Sequence, residues 1–246
     1  MTSALQAYEA ALEPARRRLE QHEELRRLMA PGADPGLFHA FSIQWASLSV
    51  QLHEPLEQFL AAASRRCAEL GDMKLGLSLL HVSIEAIELY ARLADDTRAL
   101  AQLWNGRRLP HLDLTSLLTQ PITQAIRRSL EHQREIVLGP EPWAVLAAVF
   151  EIHEFLASNA DRTTEQATRL LGEEVLPGLR SLRLAARMRG NGSLHRTMVE
   201  YLTAHPEHHA TLVATGTRTL DLYTEFLAEC CVAAFNLSSW QARQHA

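Results

Sequence analysis

The chain has 246 residues, of which 47% are hydrophobic and 22% charged, and its net charge is −5. This balance is typical of a globular protein and excludes a disordered or fibrous one. Arginine and glutamate are interleaved without a basic block, so binding to nucleic acid or to an anionic membrane surface is not expected. The longest apolar run, residues 143–150, is far shorter than the roughly 18 residues that cross a bilayer.

Several familiar kinds of site are excluded by the absence of their motifs. The three cysteines, Cys67, Cys230 and Cys231, have no C-x-x-C spacing, so neither a disulfide scaffold nor a structural zinc is expected. The glycine-rich nucleotide motifs and the G-x-S-x-G motif are missing. The first residues, MTSALQAYEAALEPARRR, contain no apolar secretory core, which predicts a cytoplasmic location.

The 3.6-residue periodicity of apolar side chains predicts an all-α bundle of about eight helices in a single domain over residues 1–246. A first helix is expected from about Ser3 to Met29 and a second from the cap Asp34 and Pro35, with a kink at Pro55. Gly71 and Asp72 predict the start of a third helix that ends near residue 96, before a shorter one to residue 104 and another over residues 115–137.

The second half of the chain begins with a segment, residues 142–158, that is apolar nearly all round and is expected in the centre of the bundle. Thr163 and Gln166 have the spacing of a capping box and predict the start of a further helix, which ends near Gly190. A last pair is expected over residues 194–204 and 206–235.

Three segments place ionisable residues on these helices. His81, Glu85 and Glu88 share one face of the third helix, as ligands of a dinuclear iron or manganese site do, although a solvated helix face has the same pattern. The central helix carries Glu151 and His153. A buried carboxylate must be compensated, and for Glu151 either a metal or a buried ion pair with an arginine would serve.

The third segment, EYLTAHPEHHATL, contains His205, His208 and His209 within five residues. Histidine clusters favour a metal site, and His205 and His209 are expected to point inward, with His208 to the side. Pro206 either starts a new helix or kinks a continuous one. A helix start exposed to solvent is the alternative interpretation of this cluster.

Three segments, taken in chain order, resemble the motifs of the haem-oxygenase-like dimetal oxidases and oxygenases, which are relatives of thiaminase II and of the PQQ-synthesis helical proteins. The segments are HVSIEAIELYARLADD, AVFEIHE and YLTAHPEHHATL. In that family, one helix carries H-x-x-x-E-x-x-H, a later buried helix carries a glutamate, and a late helix carries H-x-x-x-D-x-x-H. The segment RRCAELGDMKLGLSLL resembles the lead-in to the first motif, so the likeness covers roughly residues 40 to 225.

Position by position, Glu85 matches the first carboxylate, Glu151 the middle one, and His205 the first residue of the late motif. The chain departs from the family at three positions: Glu88 replaces a histidine, His209 an aspartate and Leu212 the last histidine. A second register instead places His205 at the aspartate position and His208 at the final histidine, with Tyr201 first. Either a carboxylate-rich centre or the loss of one metal position follows from these departures.

The resemblance implies a haem-oxygenase-like fold and an oxidoreductase that activates O₂ at a centre of one or two iron ions, with two expected. Its implied ligands are Glu85, Glu88, Glu151, His205 and His209, with His81 and His208 as further ligands or as their partners. The substrate would be a small amine, amino acid or fatty acid, in a specialised-metabolite pathway. A homodimer is compatible with this interpretation.

Two alternatives stay open at this point. One is a cofactorless enzyme of the same fold, in which Glu151 and His153 act as general acid and base. The other is a non-catalytic helical binding or dimerisation module whose histidines and carboxylates are surface features.

Overall fold

A computed structural model describes residues 3–172, 175–180 and 193–244. Every regular element in these residues is helical, which confirms the all-α class. Two 3₁₀ turns, Pro142–Ala144 and Pro206–His208, precede α8 and α10. The α-helices are α1 (Ala4–Glu20), α2 (Glu23–Leu28), α3 (Pro35–His53), α4 (Leu56–Glu69), α5 (Met73–Asn105), α6 (Leu114–Leu118), α7 (Gln124–Leu138), α8 (Val145–Leu171), α9 (Ser193–Ala204) and α10 (His209–Gln244).

Two predicted helix starts are confirmed by their caps. The Asp34 carboxylate accepts a hydrogen bond of 2.6 Å from the Leu37 amide at the start of α3, and Asp72 accepts one of 2.9 Å from the Leu75 amide at the start of α5. Each carboxylate satisfies an amide that has no partner inside its helix. Gly71 has a φ of 96°, a conformation that glycine adopts without steric cost.

Other predicted boundaries are wrong. The first helix breaks at residues 21–22, where no glycine or proline interrupts the helical pattern, and the helix over residues 115–137 is divided into α6 and α7, with Pro121 between them. The third helix does not end near residue 96 but continues to Asn105. The end near Gly190 lies outside the described residues.

The predicted capping box of Thr163 and Gln166 is also wrong, because α8 runs through it without interruption to Leu171. Residues 145–162, which precede the predicted cap, include no glycine or proline that would end the helix before it. Ser158 and Asn159 bond back to the Phe155 carbonyl and leave the helix intact.

The core lies between α3, α8 and α10. The side chains of α3 are buried almost all round from Phe38 to Val50. Those of α8 are buried from Val145 to Glu151, which confirms the central position expected for the first half of residues 142–158, whereas most side chains over residues 152–158 are partly or fully exposed. α10 packs on α3 and α8, α5 packs on α3 and α4, and α1 lies along α10. None of the described helices has an apolar stretch long enough to cross a bilayer.

His39 of α3 is buried in this core as a neutral imidazole. Its Nε2 atom is hydrogen-bonded to the Leu100 carbonyl at 3.0 Å, and its ring packs edge-on against Trp104. Burial lowers the pKa of His39 from 6.5 to about 4. Between these two pH values, the unfolded chain therefore binds a proton at His39 that the folded chain does not bind.

We expect the free energy of unfolding to fall as the pH is lowered from 6.5 to 4, because the unfolded chain binds that proton and the folded chain does not. The contribution of His39 is on the order of 3 kcal/mol. Urea unfolding at several pH values should show a smaller pH dependence in His39→Gln than in the unsubstituted chain. His81→Gln, at an exposed position, is the control, and an equal pH dependence in both variants would contradict the assignment.

Candidate metal site

Two histidines and a glutamate come together at the turn between α9 and α10. Pro206 follows His205 at the end of α9, where a proline cannot continue the helical hydrogen bonds. The chain forms a 3₁₀ turn instead, closed by a hydrogen bond of 3.1 Å from the His208 amide to the His205 carbonyl. The turn brings the side chains of His205, Glu207 and His208 close to one another.

One donor atom from each of these three side chains lies within 4.8 Å of the other two. The Glu207 Oε1 atom is 3.4 Å from His205 Nδ1 and 3.9 Å from His208 Nε2. Ligands at right angles around an ion, each about 2.1 Å away, are about 3.0 Å apart. The two distances from Glu207 exceed this spacing by less than about 1 Å. Because a nitrogen lone pair lies in the plane of its ring and the two rings are parallel, one imidazole as well as the exposed Glu207 side chain must rotate before all three atoms can hold one ion.

Aromatic residues hold the two imidazoles in place. The His208 ring stacks on Trp143 at a centroid distance of 3.9 Å and an interplanar angle of 11°. The His205 ring lies parallel to the His208 ring, with 5.1 Å between the two centroids. The Tyr201 hydroxyl is 2.8 Å from His208 Nδ1. These contacts engage His208 Nδ1 and leave its Nε2 atom 3.9 Å from Glu207.

Carboxylates complete the surroundings. The Asp72 carboxylate, which also caps α5, lies 3.8 Å from His205 Nε2. Burial and then the nearby Asp72 raise the pKa of Tyr201 well above its usual range, so its hydroxyl keeps its proton. Hydrogen bonding to its own backbone amide, and then to His205, lowers the pKa of Glu207, so this side chain is available as an anionic ligand.

Glu151 lies elsewhere, in the middle of the bundle, with an exposed fraction of 1%. Arg16 of α1 donates two hydrogen bonds to it, of 2.8 and 2.9 Å. Of the two interpretations that the sequence left open for Glu151, the buried ion pair is the one present. The Tyr8 hydroxyl lies nearby, and burial and then the charge of Glu151 raise its pKa above the usual range.

The ligands predicted on the third helix lie on the outer side of α5. The side chains of His81 and Glu88 are 64% and 56% exposed, and Glu88 pairs with Arg92 at 3.0 Å. The Glu85 carboxylate is 3.6 Å from His81. This placement follows from the inward face of α5, which carries Leu79, Val82 and Ala86.

His153 and His209 are also apart from the cluster. His153 is half exposed, 3.9 Å from Glu154, whereas His209 packs edge-on against Tyr8 with its Nε2 atom buried. Within the described residues, the only three donors of this kind that lie within 4.8 Å of one another are His205, Glu207 and His208. The predicted residues Glu85, Glu88, Glu151 and His209 are therefore not brought together, and they do not fit a shared pair of ions.

The sequence prediction missed several residues of this site. Glu207 stands between two predicted histidines, so its position in the H-P-E-H-H segment was a usable signal. Trp143 and Asp72 had no such signal, because they reach the cluster from distant segments. Arg16 is 135 residues from Glu151, and none of the many arginines stood out in the sequence as its partner.

A cavity of about 310 Å³ lies apart from the histidine cluster, between α2, α3, α8 and α10. Its walls include Phe38, Phe41, Trp45 and Phe155. The exposed side chains around it include two cations, Arg26 and Arg162, and one carboxylate, Glu20.

Comparison of the chain with protein-family models, curated proteins and solved structures gives no significant match. The haem-oxygenase-like fold therefore stays a prediction from the sequence motifs.

The two partners of the Arg16–Glu151 ion pair should differ in how much stability their removal costs. Arg16→Met should lower the free energy of unfolding by about 3 kcal/mol, because it leaves the Glu151 carboxylate buried without a counter-ion. Glu151→Gln should cost less, since the Arg16 side chain is 25% exposed and can reach water. Urea unfolding measures both, and the double variant should lose less than the sum of the single losses.

Glu13→Gln, which removes the exposed partner of Arg17, is the matched control and should change the stability by less than about 0.5 kcal/mol. A negligible loss in Arg16→Met would contradict an ionised Glu151. Full recovery of that variant on addition of Fe(II) would instead make Glu151 a metal ligand.

Proposed function

We propose that this protein is an oxidoreductase that uses O₂ and a single non-haem iron ion, held by His205, Glu207 and His208. The observation that supports the proposal is the convergence of these three donor atoms within 4.8 Å. Two imidazoles and one carboxylate are the ligand set of non-haem Fe(II) oxygenases, which leaves coordination positions open. The resemblance of the three sequence motifs to iron oxidases points in the same direction.

One ion accounts for the geometry better than two. Glu151 already has a bidentate cationic partner in Arg16, and an added ion would have to displace it. Glu88 and His81 face solvent on α5. The loss of one metal position, one of the two outcomes that the departures from the family motifs imply, is the more consistent with these placements.

The surrounding residues would orient the ligands and keep them in the required tautomers. With His208 Nε2 as a ligand, its Nδ1 atom carries the proton and donates to the Tyr201 oxygen, while Trp143 restrains the ring. With His205 Nδ1 as a ligand, its Nε2–H group faces Asp72, as in the carboxylate–histidine–metal arrangement. The iron would supply the one-electron chemistry that O₂ requires.

Anaerobic equilibrium dialysis against Fe(II) tests the proposal. We expect one iron per chain, an increase in melting temperature on binding, and the loss of both in Glu207→Ala and His208→Ala. Tyr201→Phe should weaken binding by about 10-fold, because the His208 ring loses the partner that orients it. His153→Ala, which removes a histidine outside the cluster, is the control and should bind iron normally.

The iron-loaded protein, given a reductant, should consume O₂ faster than free iron does. Absence of saturable iron binding would overturn the proposal. Two irons per chain that persist in His208→Ala would replace it with the dinuclear centre that the sequence motifs imply. One iron that persists in Glu207→Ala and His208→Ala would place the ion elsewhere.

The cavity supports a second candidate function, the binding of a small amphipathic anion. Its aromatic walls suit an apolar body, and Arg26 and Arg162 suit a carboxylate. Phe155 follows Trp143 by twelve residues, which places the cavity about 18 Å along the helix axis from the metal site. The cavity therefore supports a binding module that needs no metal, one of the alternatives that the sequence left open.

Decanoate, with decanol as the uncharged comparison, tests this second function. We expect decanoate to raise the melting temperature more than decanol does, because only the carboxylate pairs with the arginines. The double variant Arg26→Gln/Arg162→Gln should remove this difference, whereas Arg98→Gln, at an exposed arginine on α5, should preserve it. Equal effects of the two compounds on the unsubstituted protein would contradict an anion site.

A further inference from the structure

α5 carries a second apolar face that points away from the core. Five large aliphatic side chains on this face are between 38% and 62% exposed: Met73, Leu77, Leu80, Ile84 and Ile87. The inward face of the same helix buries Leu75, Leu79, Val82, Ala86 and Leu93. A surface helix ordinarily has one apolar stripe, so the outward one requires a separate explanation.

The outward residues, which we call the α5 stripe, are spaced by four, three, four and three residues. This is the a and d spacing of a heptad, with which one helix packs against another. The exposed Ala91 continues the pattern towards the end of α5. The spacing indicates an elongated helical partner.

We propose that the α5 stripe is the interface of a homodimer, in which α5 packs antiparallel against α5 of a second copy. The two-fold axis crosses the stripe at the level of residue 82, midway between Leu80 and Ile84. This arrangement brings each a position opposite a d position. The resulting layers pair Leu80 with Ile84, Leu77 with Ile87 and Met73 with Ala91 of the second copy. The inference is independent of the iron site and of the cavity.

The sizes of the side chains favour the antiparallel orientation. The large residue Met73 stands at one end of the stripe and the small residue Ala91 at the other. Antiparallel packing sets large against small in both end layers. Parallel packing would set the two alanine positions against each other and leave a gap, which costs packing energy.

The charges beside the stripe favour the same orientation and a second copy as the partner. Lys74 lies beside one end of the α5 stripe, and Glu88 and Asp95 lie beside it towards the other end. An antiparallel pair places Lys74 near Glu88 of the second copy, so the surface is complementary to itself, as a two-fold interface must be. Lys74 and Glu88 already pair with Glu200 and Arg92, so these charges contribute more to orientation than to affinity.

Light scattering coupled to gel filtration tests the interface on the full chain at micromolar and submillimolar concentrations. We expect a dimer that Leu77→Glu converts to a monomer, with at least about a 100-fold loss in affinity, because a charge would be buried in a central layer. Leu77 is 62% exposed, so the fold should survive, which circular dichroism checks. Leu138→Glu, at an equally exposed leucine outside the stripe, is the matched control and should remain dimeric.

Cysteine cross-linking tests the orientation. Leu80→Cys/Ile84→Cys should form intermolecular disulfides under mild oxidation, whereas each single variant should not, because residues 80 and 84 face one another only in the antiparallel pair. The native cysteines are buried and should not interfere. A monomeric wild type, a dimer that survives Leu77→Glu, or cross-linking of the single variants would each overturn the proposal.

Discussion

The bidentate pair of Glu151 and Arg16 is the constraint on which the middle of the bundle depends. A carboxylate with an exposed fraction of 1% needs a compensating cation, and α1 supplies it. The third helix at this point, α10, approaches closely: a Cβ atom at Gly216 would lie 2.6 Å from the Tyr8 hydroxyl oxygen and 3.3 Å from Glu151 Cγ. The charge requirement and this close approach together set the positions of α1, α8 and α10.

Neutralisation of Glu151 by an arginine has a consequence for the metal chemistry. A metal ion is not needed to balance the charge in the core, and the candidate metal site lies instead at the edge of the bundle, where the turn at Pro206 brings His205, Glu207 and His208 together. These residues are near in sequence, as is Tyr201, but Trp143 and Asp72 from two distant segments also determine how the rings are held. The candidate site is thus a local sequence feature shaped by distant contacts.

α5 shows how one helix supports two interpretations. His81, Glu85 and Glu88 match the spacing of an iron motif, yet they lie beside the exposed α5 stripe and away from the buried face. The 3.6-residue period determines which residues share a face, whereas the contacts with α3 and α4 determine which face turns inward. A self-complementary stripe accounts for the apolar residues that the core leaves exposed.

The sequence by itself determined the all-α class, the starts of α3 and α5 and the central position of α8, because capping and hydrophobic periodicity act over a few residues. The cluster of histidines was also evident, because its members lie within five residues. Only the tertiary structure decided that Glu151 pairs with Arg16, that Trp143 and Asp72 lie beside the histidines, and that the polar residues of α5 face outward. These outcomes depend on which helices meet, and helix packing brings together residues that no local pattern connects, such as Arg16 and Glu151, which are 135 positions apart.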